Sequence, residues 1–102
     1  SGTTIGKLAA GISDNLVTRS GVVAMKENRP LIIVPRETPL ATVHLENLAK
    51  LSGWGVVVLP AMPGFYTHPT SIEDMVDFIV ARILDQLNIE HRLGQRWTGD
   101  EI

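Results

Sequence analysis

The sequence predicts an α/β protein in which parallel strands are covered by helices. Two short apolar runs, 31–34 and 55–59, consist of large aliphatic residues apart from Gly55 and have the composition of strands that are buried on both faces. The segment between them, residues 40–51, has the apolar spacing of a helix. A strand, a helix and a strand in this order form a βαβ unit with two parallel strands. Their carboxyl ends therefore share one rim of the sheet, where open α/β sheets bind ligands.

Composition and charge argue against several classes of protein. The 102 residues carry a formal net charge of −2, which gives no argument for binding nucleic acid or an anionic membrane. The sequence contains no apolar run long enough to span a bilayer and no signal-peptide pattern. Cysteine is absent, which excludes disulfides and thiolate metal sites. We therefore expect one small cytoplasmic domain.

Two helices are expected before the first strand. The first has an apolar stripe at helical spacing, formed by Ile5, Leu8, Ala9 and Ile12. Ser13 and Asp14 predict a new helix cap, and the second helix then continues to Glu27. Arg19 and Lys26 are seven residues apart and share one face of that helix, where a solvated basic edge is the commoner interpretation.

The turn after the first strand is the strongest candidate for a site. Pro35 ends the strand, and Thr38 followed by Pro39 predicts the cap and first position of the next helix. Arg36 and Glu37 then lie on the tight turn between them. The next helix carries His44 near its start, where a lone histidine is more often structural than catalytic, and Gly53 at its predicted C-cap.

A second loop is expected on the same rim. Residues 61–69 are rich in proline and follow the second strand, so they place Phe65 and Tyr66 near Arg36 and Glu37. Two loops that converge are a better indication of a site than either loop alone.

The last helix combines an apolar stripe with one cation. Thr70 and Glu73 predict a capping box at its start. Arg82 lies beside the stripe, where its charge needs water, a carboxylate or a bound anion. The stripe consists of Ile72, Met75, Val76, Ile79, Ile83 and Leu87.

Two features predict contacts with other polypeptide segments. The tail, residues 88–102, is mostly polar with scattered apolar residues such as Trp97, which favours a contact in an oligomer. Two parallel strands do not make a stable sheet by themselves, and the predicted helices are too many to cover so small a sheet. We therefore expect further strands, from a missing segment or from a partner chain.

Three motifs together resemble the flavin prenyltransferases of the UbiX type. They are VPRETPL at 34–40, HLEN at 44–47 and MPGFY at 62–66. The resemblance runs from Ser1 to about Trp97 and corresponds to the C-terminal half of that family. It implies a flavodoxin-like, three-layer α/β/α fold of the Rossmann-like kind. It also implies that residues 1–102 form the C-terminal part of one flavoprotein domain, without the family's glycine-rich flavin loop.

The resemblance implies an enzymatic activity. In that family a dimethylallyl group passes from dimethylallyl monophosphate to reduced FMN, and a fourth ring closes through N5 and C6 without a metal. The product, prenylated FMN, serves as cofactor for a decarboxylase of the UbiD type. Family members form large homo-oligomers, commonly dodecamers.

The resemblance also assigns roles residue by residue. Arg36 matches an arginine that contacts flavin and phosphate, and Glu37 matches the acidic residue credited with proton transfer. The residues that match the flavin loop, which more commonly reads Ser-Met-Lys-Thr, are Ser1, Gly2, Thr3 and Thr4. The residues that match the prenyl-phosphate site are Lys26, Tyr66 and Arg82, with Arg19 nearby.

Two alternatives to this activity remain open at this point. A related flavoprotein branch oxidatively decarboxylates peptide C-terminal cysteines and uses the same plan of flavin binding. That branch is expected to lack the set formed by Lys26, Tyr66 and Arg82, so their joint presence argues against it. The other alternative is a non-catalytic subunit for flavin binding or assembly.

Overall fold

A computed structural model describes residues 1–93 of the chain. The chain divides into two compact units, Ser1–Pro60 and Ala61–Ile102. The elements of the first unit are α1 (Gly2–Ala10), α2 (Leu16–Lys26), β1 (Ile32–Ile33), α3 (Thr42–Gly53) and β2 (Val57–Val58). The second unit contains a 3₁₀ helix, Phe65–Thr67, and then α4 (Ile72–Gln86). Within residues 1–93, no helix combines the length and apolar character needed to cross a membrane.

The predicted parallel pair of strands is confirmed. Ile32 lies opposite Val57, and Ile33 lies opposite Val58, with α3 between the strands in sequence. The predicted burial of the first strand on both faces is wrong, because β1 is only half-buried and Val34 is 37% exposed. The physical reason is that the sheet of the described residues has two strands, so little packs against β1 on one side.

The core of the first unit joins α1, α3 and the start of β2. Its buried members are Ile5, Leu8, Ala9, Leu48, Leu51 and Val56. The predicted stripe of α1 is therefore confirmed except at Ile12, which is 47% exposed. Gly11 adopts a left-handed conformation with φ of 71° and ends the helix before Ile12 can continue the stripe.

The second helix begins later than its predicted cap at Ser13 and Asp14. The Asn15 side chain accepts a hydrogen bond from Thr18 N–H at 2.8 Å, and Asn15 N–H donates to Thr18 Oγ1 at 3.2 Å. This reciprocal pair satisfies two amide groups at the start of α2. Gly21 of α2 lies against Leu8 of α1, so the two helices approach closely at a glycine.

The predicted helix start at Thr38 and Pro39 is wrong. The Thr38–Pro39 peptide bond is cis, and α3 begins at Thr42 with Ala41 as an N-cap that makes no side-chain hydrogen bond. Leu40 packs against the core before the helix starts, and the chain is still extended at the cap, Ala41.

The predicted C-cap of this helix is also wrong. Gly53 is the last helical residue of α3, and Trp54 occupies the cap position. The chain reverses at Gly55, which has a φ of 93° and therefore uses the left-handed region that glycine tolerates. The glycine that the turn requires is thus the second of the two in this segment, immediately before the approach to β2.

The N-cap of α4 lies one residue later than predicted. Ser71, not Thr70, accepts the hydrogen bond from Asp74 N–H, at 3.1 Å. The Thr70 backbone N–H and hydroxyl donate to Asp74 Oδ2 at 2.9 and 3.0 Å. Asp74 therefore replaces Glu73 as the acidic partner, and these bonds hold the pKa of Asp74 below its ordinary value.

The described part of the tail folds back towards α4. His91 Nε2 lies 2.7 Å from Asp85 Oδ1, and Leu93 N–H donates to His91 Nδ1 at 3.1 Å. The remainder of the tail, including Trp97, lies outside the described residues, so the oligomer contact expected there stays a prediction.

Candidate functional site

Glu37 joins the turn after β1 to the start of α1. Its Oε1 accepts hydrogen bonds from Gly2 N–H at 3.3 Å and from Ser1 Oγ at 3.2 Å, and the Ser1 nitrogen lies 3.3 Å from the same oxygen. Arg36 N–H in turn donates to Ser1 Oγ at 3.3 Å. The structure therefore brings together four predicted site residues, two from the start of this unit and two from its middle.

Helix geometry explains why a carboxylate binds at this position. The first N–H groups of a helix have no intrahelical partner, and they form the positive end of the helix dipole. α1 has no acidic residue in its first turn, and its N-cap, Ser1, makes no side-chain capping bond. Glu37 supplies the missing acceptor from the end of β1, with the buried Pro35 fixing the turn.

These hydrogen bonds stabilise the ionised form of Glu37. The bond from Gly2 N–H, followed by those from the Ser1 nitrogen and hydroxyl, holds the pKa of the Glu37 carboxyl below its ordinary value. The side chain is nevertheless 36% exposed, so a ligand can reach it. At neutral pH the group is therefore an ionised acceptor that is available to take up a proton.

Gly2 lies close to the ring of His44. A Cβ atom added at Gly2 would overlap Nε2 and Cε1 of His44, which lies in the first turn of α3. Among the described residues, the buried His44 Nδ1 has no hydrogen-bond partner. His44 thus packs against the residue whose N–H binds Glu37, and its predicted structural role stays a prediction.

The other predicted residues of the first unit lie on two helices. Thr3 is exposed and Thr4 half-buried in the first turn of α1, where N–H groups and hydroxyls are suited to a phosphate. Arg19 and Lys26 both lie in α2 and are exposed, and their spacing along the helix axis is about 10 Å. Within residues 1–93, no three His, Asp or Glu side chains come together in a group that could hold a metal ion.

In the second unit, Tyr66 and Arg82 contact the same aromatic ring. The Tyr66 and Phe78 ring centroids are 6.1 Å apart with an interplanar angle of 82°, and Arg82 Cζ lies 5.4 Å from the Phe78 centroid. Phe78 was not among the site residues predicted from the sequence. Its position four residues before Arg82, on the same side of a helix, is the signal that identifies it. The predicted proximity of Phe65 and Tyr66 to Arg36 and Glu37 stays a prediction.

Comparison with known proteins decides the family. The model of the family described as Flavoprotein matches residues 1–84. The chain belongs to the Flavoprotein family. This flavoprotein is 54% identical over 99 residues to a protein of Methanothermobacter thermautotrophicus named flavin prenyltransferase UbiX, covering 97% of the chain and 52% of that relative. It is 57% identical over 95 residues to a protein of the same name from Thermoplasma acidophilum, covering 93% of the chain and 53% of the relative.

Solved structures confirm the flavodoxin-like α/β class. A dodecameric FMN-dependent UbiX-like decarboxylase from Escherichia coli has a TM-score of 0.89 and 48% identity, covering 95% of this flavoprotein and 52% of that chain. AnUbiX, solved in complex with FMN and dimethylallyl pyrophosphate, has a TM-score of 0.90 and 38% identity, with the same coverage. The flavoprotein thus spans about half the length of the relatives that it matches.

Proposed function

We propose that the native protein containing these residues is a flavin prenyltransferase, which transfers a dimethylallyl group from dimethylallyl monophosphate to reduced FMN. The observation that carries the proposal is the 54% identity, over 97% of the chain, with a protein named a flavin prenyltransferase. The complex of AnUbiX with FMN and dimethylallyl pyrophosphate supports the same pair of ligands. Because the chain spans half of its relatives, the activity is proposed for the whole native protein.

The donors at the start of α1 fit a flavin phosphate. Ser1, Thr3 and Thr4 provide hydroxyls there, and the first turn provides backbone N–H groups. In the proposal these residues and Gly2 bind FMN, and the adjacent Arg36 contacts both the flavin and the prenyl phosphate. Reduced FMN supplies the nucleophilic N5 and C6 atoms of the reaction.

Glu37 is the proposed proton acceptor. Its carboxylate is ionised at neutral pH and partly exposed, as a base must be before it takes up a proton. Its donors, Ser1 and Gly2, belong to the proposed flavin loop. A ligand that engages those donors removes hydrogen bonds that stabilise the ionised form, and it thereby raises the basicity of Glu37 where the proton is released.

Cations and a phenol are proposed to hold the phosphate of the prenyl donor. Departure of phosphate places negative charge on its oxygens, which fixed cations stabilise more strongly than water does. Arginine binds two phosphate oxygens at once, and lysine provides a compact charge. The proposed set is Arg19, Lys26, Tyr66 and Arg82.

The proposal includes partners and a compartment. A decarboxylase of the UbiD type is the proposed recipient of the prenylated FMN. A homo-oligomer, commonly a dodecamer in the family, is the proposed assembly, and the Escherichia coli neighbour described as dodecameric supports it. The cytoplasm is the proposed location, because reduced flavin requires a reducing compartment.

An FMN-dependent decarboxylase is the second candidate function. It is favoured by two similar structures that are described as decarboxylases, the Escherichia coli protein and a phenylacrylic acid decarboxylase from Aquifex aeolicus with a TM-score of 0.86 and 48% identity. Such an enzyme would release carbon dioxide from its own substrate without consuming a prenyl phosphate.

One anaerobic incubation separates the two candidates. The native protein is mixed with reduced FMN and either dimethylallyl monophosphate, dimethylallyl pyrophosphate or an arylacrylic acid, and the flavin is analysed by mass spectrometry. We expect an FMN species enlarged by one dimethylallyl group, together with release of phosphate from the monophosphate donor. Carbon dioxide release from the acid without a modified flavin would replace the prenyltransferase with the decarboxylase.

A further inference from the structure

The ring of Phe78 contacts two of the proposed phosphate-binding residues at once. The guanidinium of Arg82 lies over the ring, with Cζ 5.4 Å from its centroid. Tyr66 meets the same ring in an edge-to-face arrangement at 6.1 Å and 82°. A single apolar side chain therefore connects a cation on α4 with a phenol on the preceding 3₁₀ helix.

The local backbone explains why these contacts form. Phe78 and Arg82 are four residues apart on α4, so they are neighbours on one side of the helix. Tyr66 lies in the 3₁₀ helix Phe65–Thr67, where Thr67 N–H and the Thr67 hydroxyl both donate to Gly64 O. The short helix ends at His68, whose φ of 54° turns the chain away.

Gly64 leaves the space in which the two rings meet. A Cβ atom at this position would lie 2.5 Å from Tyr66 Cε1 and 3.0 Å from Phe78 Cζ. No larger residue fits unless one of the rings moves. The arrangement of Tyr66 against Phe78 is therefore determined by the backbone as well as by the attraction between the rings.

The electrostatics of an aromatic ring suit it to support both groups. The face of the ring is negative and attracts a guanidinium, whereas its edge is positive and favours an edge-to-face partner. A flexible arginine loses side-chain entropy when it binds a ligand, and holding it beforehand reduces that cost.

We propose that Phe78 is a positioning residue that orients the Tyr66 hydroxyl and the Arg82 guanidinium for the phosphate of the prenyl donor. This inference rests on the proposed function, which identifies the ligand as an allylic phosphate. In this proposal Phe78 acts on the ligand only through Tyr66 and Arg82, the two side chains that its ring contacts. Its effect is on the affinity for the donor and not on flavin binding.

The test replaces Phe78 in the native protein and measures two affinities separately. Phe78→Leu keeps an apolar side chain but removes the ring. We expect it to weaken binding of dimethylallyl monophosphate about 5- to 50-fold, corresponding to the loss of one cation–π and one aromatic contact. FMN affinity should change less than about twofold. Val76→Ala, at a 52% exposed position on the same helix, is the matched control and should change neither affinity.

A graded series distinguishes electrostatic positioning from packing. Phenylalanines with one, three and five fluorine atoms, incorporated at position 78, make the ring face progressively less negative with little change in size. The dissociation constant and KM for the prenyl donor should rise in that order, while the melting temperature and the FMN affinity stay at parental values.

The outcomes separate this inference from the proposed function. A parent protein that neither binds nor consumes a dimethylallyl phosphate overturns both. A parent that does so, with Phe78→Leu binding the donor as tightly as the parent or losing FMN and donor equally, overturns the inference alone. Arg82→Ala is the reference for a lost phosphate contact and should weaken donor binding about 10- to 150-fold.

Discussion

Glu37 accepts all of its described hydrogen bonds through one carboxylate oxygen, Oε1. Glu37→Gln retains an acceptor oxygen and the side-chain size, but it cannot take up a proton at neutral pH. If Glu37 transfers the proton, the rate of prenylated FMN formation should fall about 10²–10⁴-fold with little change in the affinity for either ligand. Single-turnover spectra of the reduced, ligand-loaded protein measure this rate. Formation of the product at the parental rate would show that Glu37 has only a structural role at the start of α1.

The lowered pKa of Glu37 predicts how its contribution to stability depends on pH. A carboxyl group whose pKa is lower in the folded state stabilises that state above its unfolded pKa, here near 4.5, and loses this contribution as pH falls through the lower folded value. Thermal melts of the parent and Glu37→Gln should therefore differ most at neutral pH and converge in acid. Asp14 and Asp74, whose pKa values are also lowered, are present in both proteins and cancel from the comparison. A difference that persists unchanged into strong acid would contradict this account.

Some residues of the site were predicted from local patterns in the sequence, and others were not. The turn containing Arg36 and Glu37 was found because a run of large aliphatic residues that stops at proline is a strong local pattern. The partner of Glu37 was not predictable from the residues by themselves, since Gly2 is 35 positions away and binds through its backbone. Phe78 was missed because an aromatic residue on an amphipathic helix has the pattern of an ordinary core residue.

At the scale of helices, the contact between α1 and α2 depends on Gly21. A Cβ there would lie 2.5 Å from Leu8 Cδ2, and Leu8 is buried in the core and has little room to move. Gly21→Ala should lower the free energy of unfolding by about 1–3 kcal/mol through overpacking. Gly6→Ala is the matched control, because its Cβ would meet only Asn47 Nδ2 at 3.7 Å, and it should stabilise by about 0.5–1 kcal/mol through helix propensity. Urea unfolding of both variants measures these values, and equal effects of the two substitutions would refute the close contact.

Element types were predicted better than element boundaries. Both strands and all four α-helices found within residues 1–93 were predicted, together with the parallel pairing, because apolar periodicity depends on many residues. The exact start of a helix depends on only one or two side chains, which can compete to accept a hydrogen bond from the same N–H group. Thr70 and Ser71 are both good caps, and the competition is decided by the position of Asp74, which binds Thr70 and leaves Ser71 as the cap.

At the scale of the molecule, the first unit has apolar surface that nothing in the described residues covers. A cleft of about 600 Å³ lies between α1, α2 and β1, and at its edge Leu16 is 80% and Val17 67% exposed. A polypeptide of residues 1–102 alone should therefore associate. Sedimentation velocity should detect species heavier than the 11.1 kDa monomer, and Leu16→Glu combined with Val17→Glu should shift them towards monomer. A parent polypeptide that melts cooperatively as a monomer would contradict this expectation.

The sequence already showed more apolar strand surface than its own segments can cover, and the expectation of further strands came from this excess. Residues 31–34 are apolar on both faces, and a single neighbouring strand cannot cover them. What periodicity could not provide was the activity, since βαβ units support many chemistries. That came from the three motifs that resemble a family, and the similarity to its members now supports it.

The hydrogen bonds from Ser1 and Gly2 to the Glu37 carboxylate also have a consequence for the order of folding. They connect residues 35 and 36 positions apart, so they form only after α1, α2 and β1 have come together. We therefore expect these hydrogen bonds to form late in folding. Substitutions of Glu37 should then accelerate unfolding more than they slow folding. The rim that is proposed to hold the flavin is then among the last parts of the first unit to assemble and among the first to open. A flavin bound there would lower the rate at which the native state unfolds.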